Sequence, residues 1–317
     1  MSFPNGSVML HTSRWIGQNF LRTQLGSTIQ KSNQSGNLVL THRQIGTNGC
    51  TLFKNPTGYR FFSNGHLSGK VAIVTASSQG IGKAIAQRLA QDGAKVMISS
   101  RKEKNVTEAL EEIRQCVPED SQVEGVVCHV GKTEDRENLI KATIKRFGGI
   151  DILISNAGTN PAFGSMLDCT EDQWDKIFDN NVKAAFLLTK LVVPYMQEKG
   201  GNIVFISSIG GLQPIPMILP YSVSKTALLG ICKALSSELA QENIRVNCVC
   251  PGIIDTNFSS ALTSNDFVAN KTLEMLHIKR FGQPKDISGI VSFLCSKDAS
   301  YITGENIVVG GGIPSRL

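Results

Sequence analysis

The sequence predicts an α/β fold: a single doubly wound parallel sheet of about seven strands with helices on both faces, a Rossmann arrangement. Three observations point to it. From Gly69 onward, short apolar runs alternate with stretches of helical periodicity, the pattern of strands joined by crossover helices. The runs are continuous rather than alternating, as in Val71-Ala72-Ile73-Val74, which suits strands covered on both faces. The first run leads through a glycine-bearing turn, Thr75-Ala76-Ser77-Ser78-Gln79-Gly80-Ile81-Gly82, straight into a helix.

Taken in order, the strand at 71–74 is followed by Ile81, Ile85 and Leu89 at helical spacing, ending at Asp92-Gly93. A strand at 95–99, a helix at 103–116, a strand at 123–130, a helix at 134–147 and a strand at 150–155 come next. Beyond these the periodicity predicts one long helix over 171–198, then a strand at 202–207, a helix at 221–241, a strand at 244–250, a helix at 284–295 and a last strand at 306–310. Between Ser208 and Tyr221 stand Pro214, Pro216 and Pro220, which forbid a helix there. Leu212, Ile215, Met217, Ile218 and Leu219 are therefore expected on a loop over the catalytic pocket. A second irregular stretch, 257–280, is expected to bring Phe258, Leu262, Phe267 and Met275 over the same pocket as a lid. These residues also suit packing against the core or a neighbouring subunit.

Residues 66–317 read as one domain, and residues 1–65 as an N-terminal extension. Seven of the 32 basic residues lie in the first 70 positions, where no acid occurs; the remaining 25 face 26 acids. The net charge of +6 thus belongs to the extension and gives no reason to expect nucleic-acid binding. Acid-free, Ser-rich composition with an amphipathic stretch at 8–25 (Met9, Ile16 and Phe20 beside Arg14 and Arg22) matches an organelle transit peptide; a disordered tail is the alternative. Arg60-Phe61-Phe62-Ser63 resembles a mitochondrial processing site, whereas Ser315-Arg316-Leu317 matches a peroxisomal address of the Ser-Lys-Leu type, read by an import receptor. Mitochondrion and peroxisome are both expected destinations.

Eight cysteines without Cys-x2-Cys spacing suggest reduced thiols, and five scattered histidines make no metal-ligand set. No apolar run is long enough to span a membrane.

The chemistry is concentrated in Tyr221-Ser222-Val223-Ser224-Lys225, with Ser208 thirteen residues upstream. A phenol and an ammonium four residues apart share a helix face, about 5–6 Å apart. Lys225 is expected to lower the pKa of Tyr221 electrostatically, and Ser208 to bond the same substrate oxygen. Alone, the pair would also fit a solvated surface. The glycine turn at 75–82 weighs against that, because Gly80 permits close approach to phosphate, Gly82 allows tight helix packing, and a helix N-terminus favours an anion. After the second strand, Ser99-Ser100-Arg101-Lys102 offers a hydroxyl and a guanidinium where a carboxylate would bind the ribose of NAD. Ser100 and Arg101 thus predict NADP(H), with dual specificity as the alternative.

With these residues together, the chain resembles the short-chain dehydrogenase/reductases over about 69–312. Residues 75–82 look like that family's Thr-Gly-x3-Gly-x-Gly, with Ala76 where glycine is usual. The resemblance implies that Thr75, Ser77, Gln79, Gly80, Ile81 and Gly82 meet the cofactor and that Asn156, in Asn156-Ala157-Gly158, borders its adenosine. It implies that Asn181 holds a water for a proton relay, and that Ile254 and Thr256, in the segment starting at Pro251, hold the nicotinamide carboxamide. His129 stands where an Asp near the adenine is common. Ser208, Tyr221 and Lys225 match the catalytic set. The implied chemistry is hydride delivery from NADPH to a carbonyl carbon while Tyr221 protonates the oxygen, Ser208 polarises it, and Lys225 binds the nicotinamide ribose. Further runs, including Cys128-His129-Val130-Gly131-Lys132, are similar to NADPH-dependent carbonyl and retinal reductases of the family, usually homotetrameric and peroxisomal, whose substrates are small lipophilic carbonyls. A retinol or steroid alcohol dehydrogenase running oxidatively, or a non-catalytic NADP-binding scaffold, are the competing readings.

Overall fold

Successive side chains of a strand point to opposite faces, and the apolar runs use this in full. Ala72 and Val74 enter one core with Ile85, Leu89, Ile113, Ile287 and Leu294. Val71 and Ile73 enter another, with Leu139, Leu188, Phe205 and Leu228. Each strand therefore serves two cores, which is why its sequence is apolar at every position.

The computed structural model describes residues 42–45, 51–54, 65–260 and 266–314. The chain divides into two units, Met1–Phe61 and Phe62–Leu317. In the first, β1 (His42–Ile45) and β2 (Thr51–Lys54) form an antiparallel pair, with His42 opposite Lys54 and Ile45 opposite Thr51. The sequence reading expected no regular element there. The amphipathic stretch at 8–25, the Arg60-Phe61-Phe62-Ser63 motif and Ser315-Arg316-Leu317 lie outside the described residues.

The second unit is a seven-stranded, wholly parallel sheet in the order β5-β4-β3-β6-β7-β8-β9. Its strands are β3 (Val71–Val74), β4 (Lys95–Ser100), β5 (Val123–Val127), β6 (Ile152–Ser155), β7 (Gly201–Ile206), β8 (Ile244–Pro251) and β9 (Asn306–Val309). Helices α1 (Gly80–Gln91), α2 (Glu103–Cys116) and α8 (Pro284–Cys295) cover one face. The other face carries α3 (Thr133–Phe147), α5 (Ala184–Val192) and α6 (Leu219–Glu238). This is the Rossmann-like fold the sequence predicts. The chain runs from β3 outward to β5, then returns to β6 on the other side of β3, so the loops after β3 and β6 diverge and leave a crevice at the carboxyl edge.

Three local expectations are corrected. The long helix over 171–198 is α4 (Glu171–Phe178), a π turn at Asp179–Lys183, α5 and a 3₁₀ turn at Val193–Tyr195. In the π turn Ala184 N–H bonds the Asp179 carbonyl, one residue further back than α geometry, so the side-chain phase shifts by a residue. The stretch 257–280 is not irregular throughout, since it holds α7 (Asp266–Met275). Pro220 does not lie outside the helix: α6 starts at Leu219 with Pro220 in its first turn, where a missing N–H leaves no bond unmade.

Candidate active site

The turn after β3 is built around Thr75 and Asn156. The Thr75 hydroxyl accepts the N–H groups of Asn156 (3.0 Å) and Ala157 (3.2 Å), while Asn156 Nδ2 donates to the carbonyls of Thr75 (2.9 Å) and Ala76 (3.1 Å). Asn156 thus ties together the two loops that flank the crevice. Ala76 and Gly80 are left-handed, with φ of 49° and 56°. A Cβ on Gly82 would stand 2.5 Å from Asn156 Nδ2 and 2.6 Å from the Ala76 carbonyl oxygen, so only glycine fits there. Helix α1 opens here with no side-chain cap and no acid in its first turn. Its free N–H groups and dipole suit an anion.

At the end of β4, Ser78 donates to the Ser100 hydroxyl at 3.0 Å, and Ser77 Oγ both donates to the Val74 carbonyl (2.6 Å) and accepts Ser99 N–H (3.1 Å). Arg101 and Lys102 are exposed and make no ion pair among the described residues. Two hydroxyls and two unpaired cations therefore rim this side of the crevice. His129 accepts Gly131 N–H on Nδ1 at 3.1 Å, and its backbone N–H donates to Asp135 Oδ2 at 2.8 Å.

Tyr221 and Lys225 lie one turn apart on α6, and Ser208 caps the 3₁₀ turn after β7, its Oγ accepting Gly210 N–H at 3.0 Å. The Ser208 side chain lies within hydrogen-bonding reach of Tyr221 and favours its ionised form, so the structure brings the predicted pair together. Lys225 is buried, and its Nζ lies 5.5 Å from the Tyr221 ring centroid. Nζ donates to the Ile206 carbonyl at 2.8 Å and has no carboxylate partner among the described residues. Gly158 leaves it space, because a Cβ there would stand 3.3 Å from Nζ. Ser207 Oγ holds the Lys225 carbonyl at 2.8 Å.

The protonation balance differs from the sequence expectation. Burial pushes the Tyr221 phenol well above its ordinary value, only partly offset by the Ser208 hydrogen bond. Burial also brings Lys225 down to about 8. Desolvation disfavours both charged forms, and it is the largest cause of each shift. Tyr221 is therefore held as a phenol.

Asn181 faces α6 because the π turn points it there. Its Nδ2 donates to the Thr159 carbonyl and to Ser224 Oγ, both at 3.0 Å, and its Oδ1 accepts Thr159 N–H at 2.8 Å. Its side chain thus joins the loop after β6 to the catalytic helix. Following β8, Ile254 is buried and pairs with Gly282. The Thr256 hydroxyl meets the Ile254 carbonyl (3.4 Å) and Ser259 (3.3 Å), and Pro251 closes the strand.

Of the expected substrate wall, Leu212 packs on the core below and Ile215 on a small cluster with Ile209, Leu276 and Ile313. Met217 and Phe258 are exposed, and so are Phe163 and Leu167 on the loop after β6. Gly164 N–H donates to the Met217 carbonyl at 2.9 Å, which pins two of these loops together. Leu262 and the side chain of Phe267 lie outside the described residues.

The family model described as enoyl-(acyl carrier protein) reductase matches residues 75–314. Human dehydrogenase/reductase SDR family member 4 is 57% identical over 252 residues, covering 79% of this chain and 90% of the relative. The chain belongs to the short-chain dehydrogenase/reductase family. Tropinone reductase-like 3 from Erythroxylum coca, another relative, is 51% identical over 78% of this chain and 95% of its own. Among solved structures, a short-chain alcohol dehydrogenase from Sinorhizobium meliloti superposes with a TM-score of 0.73 at 36% identity, covering 78% of this chain and 96% of its own. A 7α-hydroxysteroid dehydrogenase complexed with NADH and a 7-oxo bile acid gives 0.75 at 31% identity, over 81% and 100%. As a short-chain dehydrogenase/reductase, the protein is an oxidoreductase of alcohol and ketone groups.

Several site residues escaped the sequence reading. Ser224 and Thr159 hold Asn181, and Ser207 holds α6. Asn257 Nδ2 donates to Gln79 Oε1 at 3.1 Å, joining the segment after β8 to the glycine turn. Ser224 sits inside the Tyr221–Lys225 pentapeptide, so its position was visible. Its partner, 43 residues away, was not.

Among the described residues, no cluster of His, Cys, Asp or Glu could hold a metal, and no helix is long and apolar enough to cross a membrane.

Proposed function

We propose that the protein is an NADP(H)-dependent carbonyl reductase that acts on small lipophilic ketones and aldehydes, such as retinal, aromatic ketones or steroid ketones. The observation that carries the reading is the juxtaposition of the Ser208 and Tyr221 side chains beside a buried Lys225 that has no carboxylate partner among the described residues. The crevice fits a dinucleotide: an uncapped helix N-terminus, a left-handed Gly80 and a Gly82 with no room for Cβ. When bound, the nicotinamide cofactor supplies the hydride. Thr75, Ser77, Gln79, Gly80, Ile81 and Gly82 would line its pyrophosphate, with Asn156 fixing the turn. Ser100 and Arg101 would take a 2′-phosphate, and Pro251, Ile254 and Thr256 the nicotinamide side.

The protein's own contribution is position and a proton. Ser208 donates to the substrate oxygen and stabilises the charge that develops there; losing one such donor commonly costs about 10²–10³ in rate. Tyr221, kept protonated by burial, gives its proton to the same oxygen. Lys225 lies beneath to hold the ribose and stabilise the tyrosinate. Asn181 links the loop after β6 to α6, and in this reading it holds a water that carries a proton outward from Lys225. Exposed Phe163, Leu167, Met217 and Phe258 around the mouth support a lipophilic substrate. An actinorhodin polyketide ketoreductase of the same fold was crystallised with NADPH (31% identity, TM-score 0.73), while the hydroxysteroid dehydrogenase carries NADH. The oxidative direction on a hydroxysteroid is the second reading, favoured by that likeness.

Exposed Phe186, Tyr195, Phe293 and Tyr301 support burial in a homotetramer. The terminal Ser315-Arg316-Leu317 would direct the protein to peroxisomes through the import receptor, and the extension to mitochondria.

Cofactor oxidation measured with retinal, a steroid ketone and an aromatic dicarbonyl tests the reading. NADPH should support turnover far better than NADH, and Arg101→Ala should raise the KM for NADPH about 10–100-fold while leaving that for NADH little changed. Equal effects on the two cofactors would contradict the assignment of the phosphate site.

A further inference from the structure

Phe258 has so far figured only as one of the apolar residues around the mouth, yet its ring lies against that of Tyr221, with centroids 5.6 Å apart and planes at 44°. The phenylalanine is 57% exposed and the tyrosine 7%, so Phe258 stands on the solvent side of the phenol. The turn that carries it is fixed. Thr256 N–H donates to Ser259 Oγ at 3.2 Å, Asn257 is bonded to Gln79, and the Thr256 methyl would lie 3.3 Å from a Cβ on Gly80. The segment that carries the ring is thus tied to the glycine turn through Asn257, and the ring itself meets the catalytic helix at Tyr221. A large exposed aromatic in a fixed place costs solvation free energy, and the group it covers here is the proposed proton donor.

We propose that Phe258 is a positioning residue for that donor: its ring keeps bulk water off the Tyr221 hydroxyl and so preserves the phenol for the substrate oxygen. The inference rests on reading Tyr221 as the acid. Desolvation disfavours the phenolate. Removing the cover hydrates the phenolate, lets it form at lower pH, and leaves water competing with the substrate oxygen for the proton.

The test is a graded series, Phe258→Leu, Phe258→Val and Phe258→Ala, in the full chain. Each variant is made with and without Tyr221→Phe, so that the ultraviolet phenolate absorbance of Tyr221 is obtained by difference as pH is raised. The expected result is a midpoint close to wild type for Leu, lower for Val, and lower by about one unit or more for Ala. The kcat for ketone reduction should fall several-fold in Ala and recover in Leu, with the KM for NADPH unchanged. A Tyr221 titration that stays at the wild-type position in Val and Ala, in protein with native circular dichroism, overturns the proposal; so does a shift as large in Leu as in Ala. If Tyr221→Phe alone reduced ketones at the wild-type rate, the acid assignment would fall, while the titration series would still decide whether Phe258 screens the phenol.

Discussion

Ala76 holds a backbone conformation that a Cβ resists. Its φ of 49° costs about 1–2 kcal/mol in a residue other than glycine, partly balanced by the smaller entropy that alanine loses on folding. Ala76→Gly should therefore raise stability by about 0.5–1 kcal/mol, seen as a higher urea midpoint; a lower midpoint would show that the strain is absent. Gly82→Ala should act in the opposite direction, because the new methyl would meet Asn156 and the Ala76 carbonyl. Overpacking of this kind costs about 1–3 kcal/mol and should weaken dinucleotide binding as well. For Lys225 the sign follows from a folded-state pKa brought down to about 8 by burial. The ammonium is present below that value and lost above it, whereas Tyr221 keeps its proton throughout this range. The kcat/KM for cofactor, which reports the free enzyme, should decline as pH rises through about 8, and Lys225→Met should flatten the decline. That Tyr221 and Lys225 share a face was legible from spacing, since residues four apart on a helix lie one above the other. Their protonation was not, because burial is a tertiary property and here it is the largest cause of both shifts.

At the scale of elements, the sheet strands were readable because burial on both faces makes each one continuously apolar. The π turn at Asp179–Lys183 was not, since the helix that follows it is apolar at most positions and so hides a one-residue shift of phase. Its effect is specific: it turns Asn181 toward Ser224 and Thr159. Ser224→Ala should leave one buried amide N–H of Asn181 without its partner, costing about 1–3 kcal/mol. Thermal unfolding would register this as a lower midpoint, and an unchanged midpoint would mean that the amide finds another acceptor. Proline reasoning succeeded for Pro214 and Pro216 but failed at Pro220, where the first turn of α6 tolerates the missing donor. Helix α7 was missed because neither its apolar pattern nor a cap distinguishes it from the loops on either side.

For the whole molecule, strand order brings the chemistry together. Residues from the ends of β3, β4, β6, β7 and β8 converge at one edge, although they span positions 75 to 256 of the sequence. The central claim is that two hydroxyls meet at one substrate oxygen and that the phenolic one supplies the proton. Single-turnover ketone reduction by Tyr221→Phe, with NADPH binding measured separately by fluorescence, tests it most directly. Binding should persist while the rate falls by about 10²–10⁴. Retention of the wild-type rate with cofactor bound would contradict the account.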